Sequence, residues 1–249
     1  MISSHPVLVL LLSFSVFLTA EGDAYSPQPV VEDTTQQDIL VDDFESDAPG
    51  TPPSGWKFIT SDREVMDISE ALEPGERFEV REEKGNHFIR SHTEGEALRF
   101  TVQNGKQIDW SIGTHPRITW RWRAIELPEG ANEKGPNDVG GAVYVTFGTD
   151  WIGRPKSIKY TYSSSLPVGT VVSQGPLRII VVDSAREPRT GKWKTVMRDV
   201  RSDYRQVFGG APPDRPVSIT LWNDSDTTET TATVDFDDIR LLKPYRRQE

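Results

Sequence analysis

The sequence predicts an all-β protein: one jelly-roll-like antiparallel β-sandwich of the concanavalin or galactose-binding kind. Three observations predict it. From Ile39 onward, short runs alternate apolar with polar residues, the mark of strands that send successive side chains to opposite faces. Gly, Pro, Asn and Asp separate these runs at short intervals, as in a sandwich of many short strands. No internal repeat, low-complexity tract or second-domain linker interrupts them, so a single domain is expected over residues 39–243.

Ahead of that domain, "MISSHPVLVLLLSFSVFLTA" (1–20) contains no Lys, Arg, Asp or Glu. The apolar run is too short to span a membrane and ends in small residues, so it reads as a secretory signal cut after Ala20, with Gly22 and Ala24 as alternatives. Residues 21–38 are polar and aperiodic, a disordered lead, and 244–249 form a tail. No later segment approaches a membrane span of about 20 apolar residues. The expected location is periplasmic or extracellular. The chain has no cysteine, which excludes disulfides and thiolate metal sites. Its net charge of −10 argues against nucleic acid as a partner. Nothing in the sequence specifies an oligomeric state.

The strands follow in order. "ILVDDFESDAPG" opens the domain, and the stretch from Asp62 to Leu72 reads as a short helix or lid. "EVREEKGNHFIRS" gives two strands about a Lys84-Gly85-Asn86 turn, and "ALRFTV" a third. "ITWRWRAIEL" places Ile118, Trp120, Trp122 and Ala124 on one face, with Thr119, Arg121 and Arg123 on the other. In "GAVYVTFG", Val143, Val145 and Phe147 oppose Tyr144 and Thr146. "SIKYTYS" precedes "LRIIVV", where Leu177, Ile179 and Val181 oppose Arg178. "KWKTVMRDV", "VSITLW" and "TATVDFDDIRLL" complete the set. In the last, the apolar phase slips at Asp237-Asp238, which predicts a β-bulge.

Charge is divided unevenly. Residues 21–83 carry 18 acidic and 4 basic side chains, whereas the strands between Phe88 and Arg198 carry almost only Arg and Lys. If several of these strands share a sheet, Arg121, Arg123, Arg178 and Arg198, with Tyr144, would form a cationic face suited to an anionic polymer, because Arg pairs bidentately with carboxylate. The plainer alternative is a solvated face neutralised by the acidic loops. Trp120 and Trp122 belong to the core by their phase. Trp222 opposes Val217, Ile219 and Leu221, while Trp110 and Trp151 sit beside turn residues, so these three are the aromatic ligand candidates.

Two acidic stretches suit a hard cation. Calcium takes about six to eight oxygens, and adjacent terminal strands would supply them jointly through Asp43, Glu45 and Asp237, as a structural calcium site. The alternative is turn and edge chemistry, where Asp is common. "NDSDTTE" has the start of a calcium loop in Asp224 and Asp226, but Glu229 stands at the glycine position and Asp235 at the closing Glu position, so it reads as an Asp-stabilised turn and not an EF-hand. No nucleophile elbow, His-Glu zinc motif or P-loop occurs.

"HPRITWRWRAIELPEGANEKGPNDVGGAVYVTFG", "SIKYTYSSSLPVGT", "GKWKTVMRDVRSDYRQVFGGAPP" and "LWNDSDTTETTATVDFDDI" together resemble a bacterial family of exported proteins, domain of unknown function 3047. Tyr144, Tyr160, Trp193, Arg198, Asp203, Tyr204, Asp224, Asp226, Thr228 and Asp238 are among the positions that carry the resemblance. Two positions depart from it: the family tends to a pair of Asp at Asn137-Asp138 and to Trp at Tyr162. The resemblance implies a jelly-roll sandwich in an envelope or secreted setting and supplies no activity. "DDFESDAPGTPPSGW" separately looks like the opening of carbohydrate-binding and lectin-like sandwiches. The leading expectation is an exported, noncatalytic domain that binds a polysaccharide, an acidic one if the arginine face is free. The alternatives are a lyase or hydrolase using Tyr144, Tyr160 or Tyr162 with nearby Arg, and an envelope scaffold whose acidic N-terminal segment meets a protein.

Overall fold

Residues 37–60, 64–135, 138–186 and 191–245 are described by the structure, a computed structural model. The expected signal (1–20), residues 21–36 of the lead, Asp62, Asn137 and residues 246–249 of the tail lie outside the described residues. All described residues belong to one unit, 35–249. None of their helices is long and apolar enough to cross a membrane.

In chain order the elements are β1 (Ile39–Asp42), β2 (Lys57–Ile59), β3 (Val65–Met66), α1 (Ile68–Ala71), β4 (Arg77–Glu83), β5 (Asn86–Glu94), β6 (Ala97–Gln103), β7 (Arg117–Glu126) and β8 (Val139–Thr149). There follow β9 (Pro155–Ser163), β10 (Val171–Gln174), β11 (Leu177–Ser184), β12 (Lys194–Asp199), α2 (Val200–Phe208), β13 (Ser218–Asp224) and β14 (Thr231–Leu242). They build the expected two-sheet sandwich. One sheet has the order β12-β7-β14-β5-β4, with β1 also paired to β14; the other runs β10-β11-β9-β8-β13-β6-β2-β3.

The sheets are antiparallel with one exception among the described strands: β11 lies parallel to β9. After β9 the chain forms β10 one strand-width away, and β11 returns into the gap, antiparallel to β10. The expected bulge is present on β14. Its register against β7 shifts between Asp237 and Arg240, and Asp238 takes a left-handed φ of 49°. The slip restores Ile239 and Leu241 to the core.

The core forms where the inward faces meet, as strand periodicity requires. Trp120 and Trp122 are wholly buried. Trp122 packs its ring 5.5 Å from Tyr162 of the opposite sheet and 6.3 Å from Phe236 of its own. Phe78 stacks on Phe100 across the sandwich at 3.8 Å. Glycine is needed on β8, where a Cβ at Gly141 would stand 2.9 Å from Val234 Cγ1 and 3.3 Å from the Phe236 ring. Gly141→Ala is therefore expected to overpack this point and cost about 1–3 kcal/mol in urea unfolding.

The α2 helix does not follow from strand alternation, because β12 runs directly into it. Asp199 caps it, accepting the Ser202 N–H at 2.8 Å, and Gly209 closes it at φ 75°. Asp203 then ties it to the sandwich, receiving a two-pronged bond from Arg198 (2.9 and 2.6 Å) and the Tyr160 hydroxyl (2.9 Å).

Candidate functional site

The eight-stranded sheet has an outer face that is only partly exposed. Register aligns its outward residues in rows. Gln103, Ser218, Thr146 and Ser157 form one; Thr101, Thr220, Tyr144 and Lys159 form the next; Arg99, Trp222, Ala142 and Thr161 form the third. Within the first two rows Ser218, Thr146, Ser157, Thr101 and Thr220 make a floor of small hydroxyl side chains, with Thr101 bonded to Thr220 (2.8 Å) and Thr146 to Ser157 (2.9 Å). At the end of this floor stand two aromatic rings. Trp222 is half-buried and stacks on Tyr144 at 5.0 Å and 27°, with the Arg99 guanidinium 5.4 Å from the indole centroid.

Beyond the rings the face is closed by the loop between β7 and β8. A Cβ at Gly140 would lie 2.1 Å from Leu127 Cδ2, so the bare backbone admits the loop. Glu133, fully buried, accepts hydrogen bonds from Thr161 (2.9 Å) and Ser163 (2.7 Å). This loop also delivers Asp138. Its carboxylate accepts the Thr228 N–H (2.7 Å), the Thr228 hydroxyl (2.6 Å) and the Thr227 N–H (3.3 Å) of the turn after β13.

That turn carries Asp226, and β13 ends in Asp224, so one carboxylate oxygen from each of Asp138, Asp224 and Asp226 lies within 4.8 Å of the others. The cluster could hold a metal ion. Lys159 is completely buried beneath the rings, 5.5 Å from Tyr144 and 5.7 Å from Trp222. Burial pulls its pKa down to about 8, although Asp224, Glu133 and Asp138 oppose the fall. Burial pushes Asp224 up to about 7 against the attraction of Lys159, with Asp226 and Asp138 adding to the rise. Burial, then Asp224, raises the Tyr144 hydroxyl well above its ordinary value. Such a concentration of displaced groups marks a candidate site.

The residues expected to bind ligand are dispersed. Tyr144 and Trp222 come together here. Arg121 and Arg123 lie on the outer face of the other sheet and are occupied. Arg123 donates to Asp235 (2.9 and 2.7 Å) and to Glu83 (2.8 Å). Arg121 donates to Asp237 and pairs with Asp238 at 3.2 Å. The neutralising acids belong mainly to β14 and not to the loops. Arg198 is held by Asp203, and Arg178 donates to the carbonyls of Val207, Gly175 and Leu177. These four arginines thus form no common cationic face.

Trp110 is no loop platform: it is wholly buried, its indole N–H donating to the His115 carbonyl at 2.8 Å. Trp151 projects from the β8–β9 turn, 92 % exposed.

The residues expected to hold calcium do not converge either, although β1 and β14 are neighbours as anticipated. Asp43 sits 3.7 Å from Arg240, and Glu45 accepts the His87 N–H at 3.0 Å. Asp237 accepts from Asn86, Arg121 and the Asp238 N–H. Among the described residues the acidic group within metal reach is instead Asp138, Asp224 and Asp226. By sequence Asp224 and Asp226 belong to a turn; in the structure Asp226 is in the turn and Asp224 ends β13. Asp138 as their partner, Lys159 and the hydroxyl floor have no signal in the sequence, because they depend on register and on loop folding.

The fold is similar to solved structures of low identity. A family 11 carbohydrate-binding module from a cellulosomal cellulase of Clostridium thermocellum is 12% identical, with 87% of this chain and 100% of that chain covered and a TM-score of 0.45. The same family in complex with a β-1,3-1,4-mixed-linked tetrasaccharide, also from Clostridium thermocellum, is 13% identical over 84% and 98%, at a TM-score of 0.42. A family 30 carbohydrate-binding module from another cellulosomal cellulase of that organism is 13% identical over 84% and 99%, at 0.42. No curated protein sequence is significantly similar to the chain. A family model does match, from Trp56 at the start of the sandwich to Arg240 in β14, and this chain belongs to that family, protein of unknown function DUF3047 (residues 56–240).

Proposed function

We propose that the chain is an exported, noncatalytic β-sandwich that binds a polysaccharide on the outer face of its eight-stranded sheet. The observation that carries this reading is the half-exposed Trp222 ring, stacked on Tyr144 beside a floor of Thr and Ser hydroxyls. A sugar presents an apolar C–H face for a ring and hydroxyls for a polar floor, and an aromatic surface with a few placed polar groups answers both. Tyr144 and Lys159 beneath hold the indole in one orientation, so little side-chain entropy is lost on binding.

The charges favour a neutral polymer over an acidic one. The arginines of the other face are answered by Asp235, Asp237 and Asp238, and the acids Asp138, Asp224 and Asp226 border the platform. A structural calcium at Asp43, Glu45 and Asp237 is no part of this reading. A lyase or hydrolase using Tyr160 or Tyr162 draws no support, since both rings are wholly buried.

Native gels containing a neutral β-glucan or a uronate-rich polymer provide the test. Retardation is expected in the neutral gel, and Trp222→Ala should weaken it by about tenfold or more, as for a buried aromatic anchor, while circular dichroism shows the sandwich still folded. No new reducing or unsaturated ends should appear. Absence of retardation in every gel would overturn the reading and favour a protein-binding scaffold.

A further inference from the structure

We propose that Asp138, Asp224 and Asp226 form a binding site for a divalent cation, calcium by its chemistry, that fastens the β7–β8 loop to the turn after β13. The inference is independent of polysaccharide binding. Two oxygens on opposite sides of a calcium ion stand about 4.6–5.2 Å apart, given Ca–O distances of about 2.3–2.6 Å. The three carboxylate oxygens here lie within 4.8 Å of one another, a span that fits one such coordination sphere. Magnesium, which keeps several waters and is bound through one or two carboxylates, is less suited to a cluster of three.

Proximity of acids alone does not make a site. Asp224 supplies the separate observation: the residue is 7% exposed, and its Oδ1 is buried with no hydrogen-bond partner. The Trp222 indole N–H beside it is also without a partner, so the two do not meet in hydrogen-bonding geometry. A buried carboxylate oxygen with nothing to accept from is costly, and a cation placed among the three acids removes that cost.

The charges facing this point agree. Asp138 and Glu133 are buried with Asp224, and Asp226 stands at the surface; Lys159 is the buried cation that opposes them. Glu133 is satisfied by Thr161 and Ser163. One ammonium offsets one carboxylate, which leaves negative charge for a divalent ion to balance. Thr227 and Thr228 orient the Asp138 carboxylate, the supporting role that outer partners play around metal ligands. The exposed Asp226 gives the ion a way in.

Calcium alone, added to the EDTA-dialysed mature protein, is the probe. The melting temperature should rise by about 5 °C or more at a hundredfold excess over Kd. Terbium in its place should emit when the protein is excited through tryptophan, Trp222 being two residues from Asp224. Asp226→Asn, an exposed substitution that the fold should tolerate, should abolish both signals while leaving the calcium-free melting temperature unchanged. No shift and no emission in the unaltered protein would overturn the proposal. Equal signals from Asp226→Asn would overturn it as well, since the ion would then bind elsewhere.

Discussion

Asp235→Ala is expected to destabilise the protein by about 3–5 kcal/mol, the range for removing one partner from a buried ion pair. Asp235 is completely buried in the central strand of the six-stranded sheet. Register sets it opposite Arg90 on one neighbouring strand and opposite Arg123 on the other. Arg90 reaches it with Nε at 2.7 Å and Nη2 at 2.9 Å, and Arg123 with Nε at 2.9 Å and Nη2 at 2.7 Å. Without the carboxylate, two guanidiniums would face each other across one strand. Asp235→Asn keeps acceptors and should cost less. Urea unfolding measures both. A loss below about 1 kcal/mol would place the ladder among ordinary surface pairs.

Trp122→Ala should cost about as much, 3–5 kcal/mol, through a different cause. The indole is wholly buried among Trp120, Tyr162 and Phe236, joining both sheets. Its N–H also donates to Asp183 at 3.2 Å, and Asp183 in turn holds Lys194. Truncation therefore opens a cavity and removes a donor from a buried carboxylate. Trp122→Phe keeps much of the packing but lacks the donor, so its own loss reports mainly the hydrogen bond and the further loss in Trp122→Ala reports the cavity. Thermal unfolding should show a fall of about 10 °C or more for the alanine variant. A fall of only a degree or two would mean that neighbouring rings collapse into the space.

Strand faces were the most legible feature, because alternation is a local property. Val143, Val145 and Phe147 point inward and Tyr144 outward, as their phase indicates, and Trp222 departs from the core that Ile219 and Leu221 enter. The rule failed in two instructive places. On β11 the core is met by Ile180 and Val182, while Ile179 and Val181 are buried on the other face, beside Lys159 and Thr161. A strand covered on both sides has no polar face to reveal its phase. The α2 helix was hidden because its residues continue an apparent strand, and what holds it is Asp203 meeting Tyr160 of a distant strand.

Sequence alone determined that this chain is a β-sandwich, that Trp120 and Trp122 enter its core, and that its last strand bulges at Asp237-Asp238. Each of these follows from neighbours along the chain. Only the tertiary structure decided what the charges do. Pairing of β14 between β5 and β7 sets Asp235 and Asp237 against the arginines that looked free. Folding of the β7–β8 loop carries Asp138 to Asp224 and Asp226. An ion pair or a metal site is a property of distances, and electrostatic energy falls off with separation in space whatever the separation in sequence.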